Sequence, residues 1–371
     1  MGGSLNMRQL FVLSALLASL VLCTGQAWAD SWQHAVSTRA ATEYETNPAM
    51  SPTQKDGLWR ALFEPGYTLI GQSGANELKA GLSLKIARSS NKTQSVDRED
   101  PGIFMGWQRQ SDMGEFGISA KYDEVATRST ETDATNRILI DGTRASRAIS
   151  ANWSKPLSER STLSVDGANE DVSYDSGAHV NHTTQSGNLN FSYALSEQST
   201  SFLMLSGVKY RSDGDSPSSR FASATLGLNW KIESLDLTVQ AGQSKRTGSN
   251  TALQGALAVR HTGQRTQLAL DADRRTSSSG LGGFIKTDQV KGSWSYALSD
   301  NSRTGINMGW LKNRSITDDV SRTTDIWMQR DLTSFWGVRT YYLRKTRDAD
   351  GIGSATSDML GVALIYNHSN F

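Results

Sequence analysis

The chain has 371 residues, of which 38 are basic and 37 acidic, for a formal net charge of +1. That balance gives no reason to propose nucleic acid as a partner. Mean hydropathy is −0.45, and no apolar stretch reaches the roughly 20 residues that a membrane-spanning helix requires.

At the N-terminus, Arg8 precedes an apolar run over 10–22, and Ala27-Trp28-Ala29 follows as a cleavage signal. This reads as a secretory signal peptide over 1–29, with Asp30 opening a mature chain over 30–371. The single cysteine, Cys23, falls inside that leader, and Leu22 before it argues against lipid attachment. The mature chain is therefore expected to hold together without disulfides.

Beyond the leader a two-residue beat takes over. In Leu78-Lys79-Ala80-Gly81-Leu82-Ser83-Leu84-Lys85-Ile86, apolar and polar residues alternate, so a strand there has one greasy and one wet face. Extended segments are predicted near 35–44, 58–70 and 77–87, then around Met105, Ser119, Ala148, Val165, Asn190, Leu205 and Leu226. Others centre on Val239, Leu257, Leu270, Trp294, Met308, Trp327, Tyr341 and Val362. That makes about eighteen strands, with sixteen the neighbouring even number. Short connections at 111–114, 156–160, 194–198, 232–234, 262–265, 297–301 and 331–334 alternate with longer polar ones. The longer ones fall at 91–101, 128–136, 175–181, 213–219, 274–283, 313–321 and 347–354. A long all-β chain with two unlike faces needs two solvents. The expected fold is thus a transmembrane antiparallel up-and-down β-barrel in the outer membrane of a Gram-negative bacterium, both chain ends being periplasmic.

An internal repeat fits this register. Trp153-Ser154-Lys155-Pro156-Leu157-Ser158-Glu159 shares its skeleton with Phe191-Ser192-Tyr193-Ala194-Leu195-Ser196-Glu197 and Trp294-Ser295-Tyr296-Ala297-Leu298-Ser299-Asp300. Each copy sets aromatics before a Leu-Ser-acid turn, as an interfacial girdle would. Parity assigns Phe63, Tyr67, Ile118, Leu226, Leu270 and Val362 to lipid. The opposite parity holds Arg60, Glu64, Lys79, Lys85, Lys121, Asp123, Asp236, Asp271, Asp273, Lys291 and Asn307, the candidate lumen-lining residues. Facing lipid, an Arg or Lys at the midplane would cost about 2–4 kcal/mol. Both signs occur, so strong ion selectivity does not follow.

Candidate chemistry is sparse. The nearest thing to a metal pair is His179 and His182, with no third ligand near, and no convergent nucleophile and base, phosphate loop or zinc spacing appears. An enzyme, a metal site and a cofactor are all unexpected. Glu45 and Asn47 close the first strand, Glu99 and Asp100 open the fourth, and Arg144 and Arg147 follow a polar loop. These six are candidate outer-mouth residues, although Asn-Pro and Asp-Pro-Gly are also turn sequences in their own right.

The opening Thr38-Arg39-Ala40-Ala41-Thr42-Glu43-Tyr44-Glu45-Thr46-Asn47-Pro48, with the Trp59-to-Gly71 strand after it, resembles a family of β-barrel porins associated with exopolysaccharide loci. That family opens on a Tyr-Asp-x-Asn-like element, and Glu45 stands here in place of the aspartate. The resemblance implies an exit duct for a secreted polysaccharide, working with a separate periplasmic polysaccharide-export protein. The competing expectation is a general diffusion porin for small hydrophilic solutes; against it, no loop is long enough to fold inward as a constriction. Expected partners are the lipid bilayer with its lipopolysaccharide and the outer-membrane assembly machinery. The latter would read Gly361-Val362-Ala363-Leu364-Ile365-Tyr366 and the terminal Phe371.

Overall fold

A computed structural model describes residues 30–53, 56–127, 142–213, 218–314, 319–349 and 353–369. The leader expected over 1–29, the loop segment 128–136 and Phe371 lie outside the described residues. The strands are β1 (Ser31–Glu45), β2 (Leu58–Ser73), β3 (Asn76–Ser89), β4 (Arg98–Ser111), β5 (Gly114–Ala126) and β6 (Thr143–Pro156). They continue as β7 (Ser161–Tyr174), β8 (His182–Ser196), β9 (Ser199–Ser212), β10 (Ser219–Ile232), β11 (Leu235–Arg246) and β12 (Ala252–Thr262). The last six are β13 (Thr266–Ser279), β14 (Gly283–Ser299), β15 (Ser302–Asn313), β16 (Asp319–Asp331), β17 (Trp336–Ala349) and β18 (Gly353–Ser369).

Every strand pairs antiparallel with its chain neighbours, and β1 also pairs with β18, closing an 18-stranded barrel. Closure leaves no edge, which is the condition for strands to exist in hydrocarbon where no water can satisfy a free N–H or C=O. The register carries one parity around the whole wall. Ala40 lies opposite both Phe63 and Leu364, and Leu226 lies opposite both Leu203 and Ala241. On that outward side large apolar side chains stand bare: Trp59 is 56% exposed, Leu226 66% and Leu360 62%. A continuous apolar surface of this extent is tolerable only against lipid, so the barrel spans a membrane.

The repeated aromatics take their expected place. Trp153, Phe191, Tyr193 and Trp294 point outward just above the short turns. Two of the three repeat copies share a local register shift, between Ala194 and Ser196 and between Ala297 and Ser299. In β2, Pro65 has no N–H to give, and the ladder to β3 skips from Phe63↔Ile86 to Gly66↔Ser83.

One expected loop is not a loop. Over 274–283, β13 runs on to Ser279 and β14 starts at Gly283, so the two strands form a long hairpin where β12 begins only at Ala252. A lipid-face test follows from the parity. Leu226→Arg should lower folding stability in bilayers by about 2–4 kcal/mol, whereas Ser223→Arg, three residues away on the wet side, should cost far less. Urea titration in phospholipid vesicles measures both.

Candidate functional site

The inner side of the wall is built from the opposite parity, and every lumen candidate lies on it. The densest group joins β1, β2 and β3. Arg60 sits 2.6 Å from Glu45 and 3.5 Å from Glu43, while Arg39 reaches Glu64 at 3.0 Å and Glu43 at 3.4 Å. Lys85 meets Glu64 at 3.3 Å from the other side. The Tyr341 hydroxyl from β17 donates to Glu43 and accepts from Arg39 at 2.9 Å. These cations and carboxylates thus neutralise one another along five adjacent strands, β17 and β18 contributing through Tyr341 and Ser357, the latter's hydroxyl donating to Glu45 at 3.2 Å.

Further round, the pairing repeats. Lys121 lies 2.9 Å from Asp123, Arg260 bonds both carboxylate oxygens of Asp271 at 2.7 and 2.8 Å, and Asp273 meets Arg275 at 3.5 Å. Lys291 stands directly opposite Asp271 across the β13–β14 ladder, and Asp236 opposite Arg260 across β11–β12. The Asn307 amide donates to Asp325 at 2.8 Å. Lys79 rests over the Phe104 ring, 5.9 Å from its centre. By contrast β6 to β11 present mostly hydroxyls and amides at mid-height, among them Ser150, Asn152, Asn190, Ser206, Ser223 and Thr238. The wall therefore has a charged arc and a neutral polar arc.

Four inward aromatics lie flat on this wall. Phe104, Phe202, Trp327 and Tyr341 each face a glycine directly across the ladder: Gly81, Gly227, Gly305 and Gly361. A Cβ on Gly81 would sit 2.0 Å from the Phe104 ring, and one on Gly361 2.3 Å from that of Tyr341. Only glycine permits that approach, and it keeps the rings out of the channel. Cations cover three of the four: Lys79 as above, Arg39 over Tyr341 at 5.7 Å and Arg339 over Trp327 at 4.6 Å. A shallow recess between β1 and β5 opens where the side chains are small, bounded by Ser37, Gly66, Ser83 and Gly102 and flanked by Glu64 and Lys85.

The mouth at the long-loop end is crossed by the β13–β14 hairpin. Phe284 packs against Tyr210 of β9 and Phe221 of β10, ring centres 5.8 Å away in each case, and these three rings form a buried apolar cluster. Tyr210 and Phe221 are on the inner side of the wall, so the hairpin has folded over the lumen. Its backbone is tied down three times: the Tyr210 hydroxyl donates to Ser279 O at 3.2 Å, Arg246 to Phe284 O at 3.2 Å, and Val180 N to Gly280 O at 2.8 Å. β9 and β14 are five strands apart around the wall, about 24 Å at normal strand spacing, so only an inward fold lets them meet. The expectation that no segment folds inward is corrected by this hairpin. It escaped sequence reading because a serine-rich run has no period; the adjacent Phe284 and Ile285, which break alternation in a polar stretch, were the available signal.

The outer-mouth candidates separate. Glu45 is buried in its pair with Arg60, and Asp100 takes a two-pronged bond from Arg98 at 2.8 and 3.2 Å. Arg144 faces inward and pairs with Glu170 at 2.9 Å. Asn47 is 1% exposed and spends its amide on the loop, bonding Ser51 twice and Thr356 O once; no solute can reach it. Glu99 and Arg147 are corrected outright. Glu99 lies opposite Ile86 on the outward side and pairs with Arg88, and Arg147 lies opposite Tyr122, over whose ring it sits. In the loop between β3 and β4, the Ser89 N–H donates to Asp97 and Lys92 lies 3.0 Å away, which together hold that carboxyl below its usual range. His179 and His182 each stack on a tyrosine, Tyr174 and Tyr210 respectively, at 4.8 Å.

No family model matches the chain, and no curated protein does; the likeness to exopolysaccharide-linked porins therefore rests on the N-terminal residues alone. Solved structures do match in fold. The outer membrane protein OpdK of Pseudomonas aeruginosa is 9% identical with a TM-score of 0.54, the match covering 92% of this chain and 100% of that one. Pseudomonas aeruginosa OpdO matches at 10% identity and 0.53 over 94% and 100%, and Acinetobacter baumannii OccAB4 at 9% and 0.52 over 92% and 99%. The chain thus has the architecture of outer-membrane porins.

Losing the ring at the centre of the anchoring cluster should free the hairpin and leave the wall intact. Phe284→Ala is expected to cost about 3–5 kcal/mol locally. Hydrogen exchange should rise across 276–286 while the amides of β1 and β2 stay protected; uniform loss of protection would contradict the anchoring.

Proposed function

We propose that this protein is an outer-membrane channel for the passive passage of small hydrophilic solutes. A closed barrel of 16–18 strands encloses an aqueous channel, and a lumen lined by mutually neutralised charges and by hydroxyls favours polar solutes without strong preference for sign. The observation that carries the reading is the inward-folded β13–β14 hairpin, which takes up part of the long-loop mouth and so favours small solutes over large ones. OpdK, of the same architecture, has been solved with vanillate, a small organic anion; that likeness supports a small-solute channel here. Polysaccharide passage, the first expectation from the sequence, has only the N-terminal resemblance behind it, and a hairpin pinned across the mouth counts against a sliding polymer.

Reconstituted liposomes test the reading directly. Swelling should be fast in monosaccharides and amino acids and fall steeply for oligosaccharides. No swelling in any solute would refute a channel, and loss of surface polysaccharide on gene deletion would restore the export reading. The charge pairing makes a second prediction. Arg39→Gln leaves Glu43 and Glu64 short of one cation, so the channel should become more cation-selective. A unit charge about 8 Å away in water is worth about 0.5 kcal/mol, a little over twofold in permeability ratio. Reversal potentials in a salt gradient across planar bilayers measure it.

A further inference from the structure

On the outward side, near the long-loop ends, the strands carry charges just above the apolar belt. Around most of that rim each cation has a carboxylate. Arg88 pairs with Glu99 at 2.5 Å, Arg322 with Asp348 at 2.8 Å and Arg344 with Asp358 at 3.8 Å, and Asp288 holds both Arg274 and Arg314. The sector of β9 to β11 differs. There Lys209, Arg211, Arg220 and Lys245 all point outward, by the parity of Leu205, Leu226 and Val239. Among the described residues none of the four has an ion pair or side-chain hydrogen bond, and Arg211, Arg220 and Lys245 are exposed.

Their spacing makes the absence of partners costly. Lys209 and Arg220 are directly opposite across the ladder, Arg211 lies diagonal to Arg220, and Lys245 is opposite Ala222, diagonal to Arg220 on the other side. Like charges directly opposite repel, and diagonal neighbours stand only about 7–8 Å apart. The outward neighbours on the adjoining strands are neutral, Gln185 and Thr183 on β8 and Gln243 on β11; the described carboxylate closest in sequence, the exposed Asp213 just past Arg211, makes no ion pair with any of the four. Directly below begins the bare apolar belt, with Leu205 and Leu226. A ligand that satisfies both levels has clustered negative charge on top and acyl chains beneath.

We propose that this sector is a binding site for a phosphorylated glycolipid of the outer leaflet, its phosphates held by Lys209, Arg211, Arg220 and Lys245 and its chains lying on β9 and β10. Short turns face the periplasm in such barrels, which puts these four residues at the outer leaflet. The site stands apart from the lumen and does not depend on what passes through it.

The test uses the full-length barrel in detergent and diphosphorylated lipid A as probe, with bound lipid counted by native mass spectrometry. Wild-type protein should retain at least one lipid A and bind the dephosphorylated lipid far more weakly. The fourfold variant Lys209→Gln, Arg211→Gln, Arg220→Gln, Lys245→Gln should lose up to several hundredfold in affinity, since each basic residue near a charged headgroup is worth about fivefold. The paired-rim variant Arg322→Gln should bind as wild type does. Binding to wild type that weakens steeply with added salt gives the same answer if the fourfold variant fails to fold. Equal affinity of the fourfold variant and wild type, indifference to the lipid's phosphates, or full displacement by inorganic phosphate at matched concentration would overturn the proposal.

Discussion

The whole structure rests on the ladder between β1 and β18. Without it the other strands form an open sheet with two rows of unpaired backbone groups, each costing several kcal/mol in hydrocarbon. With it, every strand has two neighbours, and the sheet separates an outer apolar surface from an inner polar one. The same junction carries the densest charge network in the lumen. Arg39, Glu43 and Glu45 of β1 pair with side chains of β2, and the hydroxyls of Tyr341 and Ser357 reach them from β17 and β18. Closure and lumen chemistry thus meet at one seam, where first and last strands find each other.

The alternation of side chains made much of this visible in the residues. A one-residue slip inverts a strand's faces, so a consistent two-residue beat assigns each side chain to lipid or water strand by strand. That is why Lys79, Lys85 and Lys121 could be put on the inner side before any coordinates. The same logic fails at strand ends, where alternation has no apolar residues to anchor it. Glu99 and Arg147 sit one residue from inward-facing Asp100 and Ser146, and the sequence alone does not separate the two sides there. Which cation meets which carboxylate was equally out of reach, because it depends on the relative shift of neighbouring strands. Glu64, for instance, lies between Arg39 of the preceding strand and Lys85 of the following one.

The inward hairpin illustrates a different blindness. Its residues read as a polar connection because polar composition ordinarily means solvent. In a barrel mouth, a two-stranded extension keeps its backbone satisfied by its own pairing, from Thr276↔Lys286 to Ser279↔Gly283. It needs only a few apolar contacts to be held inward, and Phe284 against Tyr210 and Phe221 supplies them. The flat rings over glycines act in the opposite sense, clearing space below. Between them these features set an inward-folded hairpin at the long-loop end above a wall whose inward rings lie flat.

The central claim is that successive side chains of each strand face lipid and water in turn, and single cysteines along β10 test it most directly. The only native cysteine, Cys23, precedes the barrel strands, so each introduced thiol can be read alone. In liposome-reconstituted protein, a membrane-impermeant maleimide should label cysteines at 223, 229 and 231, and lipid-borne quenchers should reach labels at 224, 226 and 228. Labelling that is uniform, or whose period differs from two, would contradict the account.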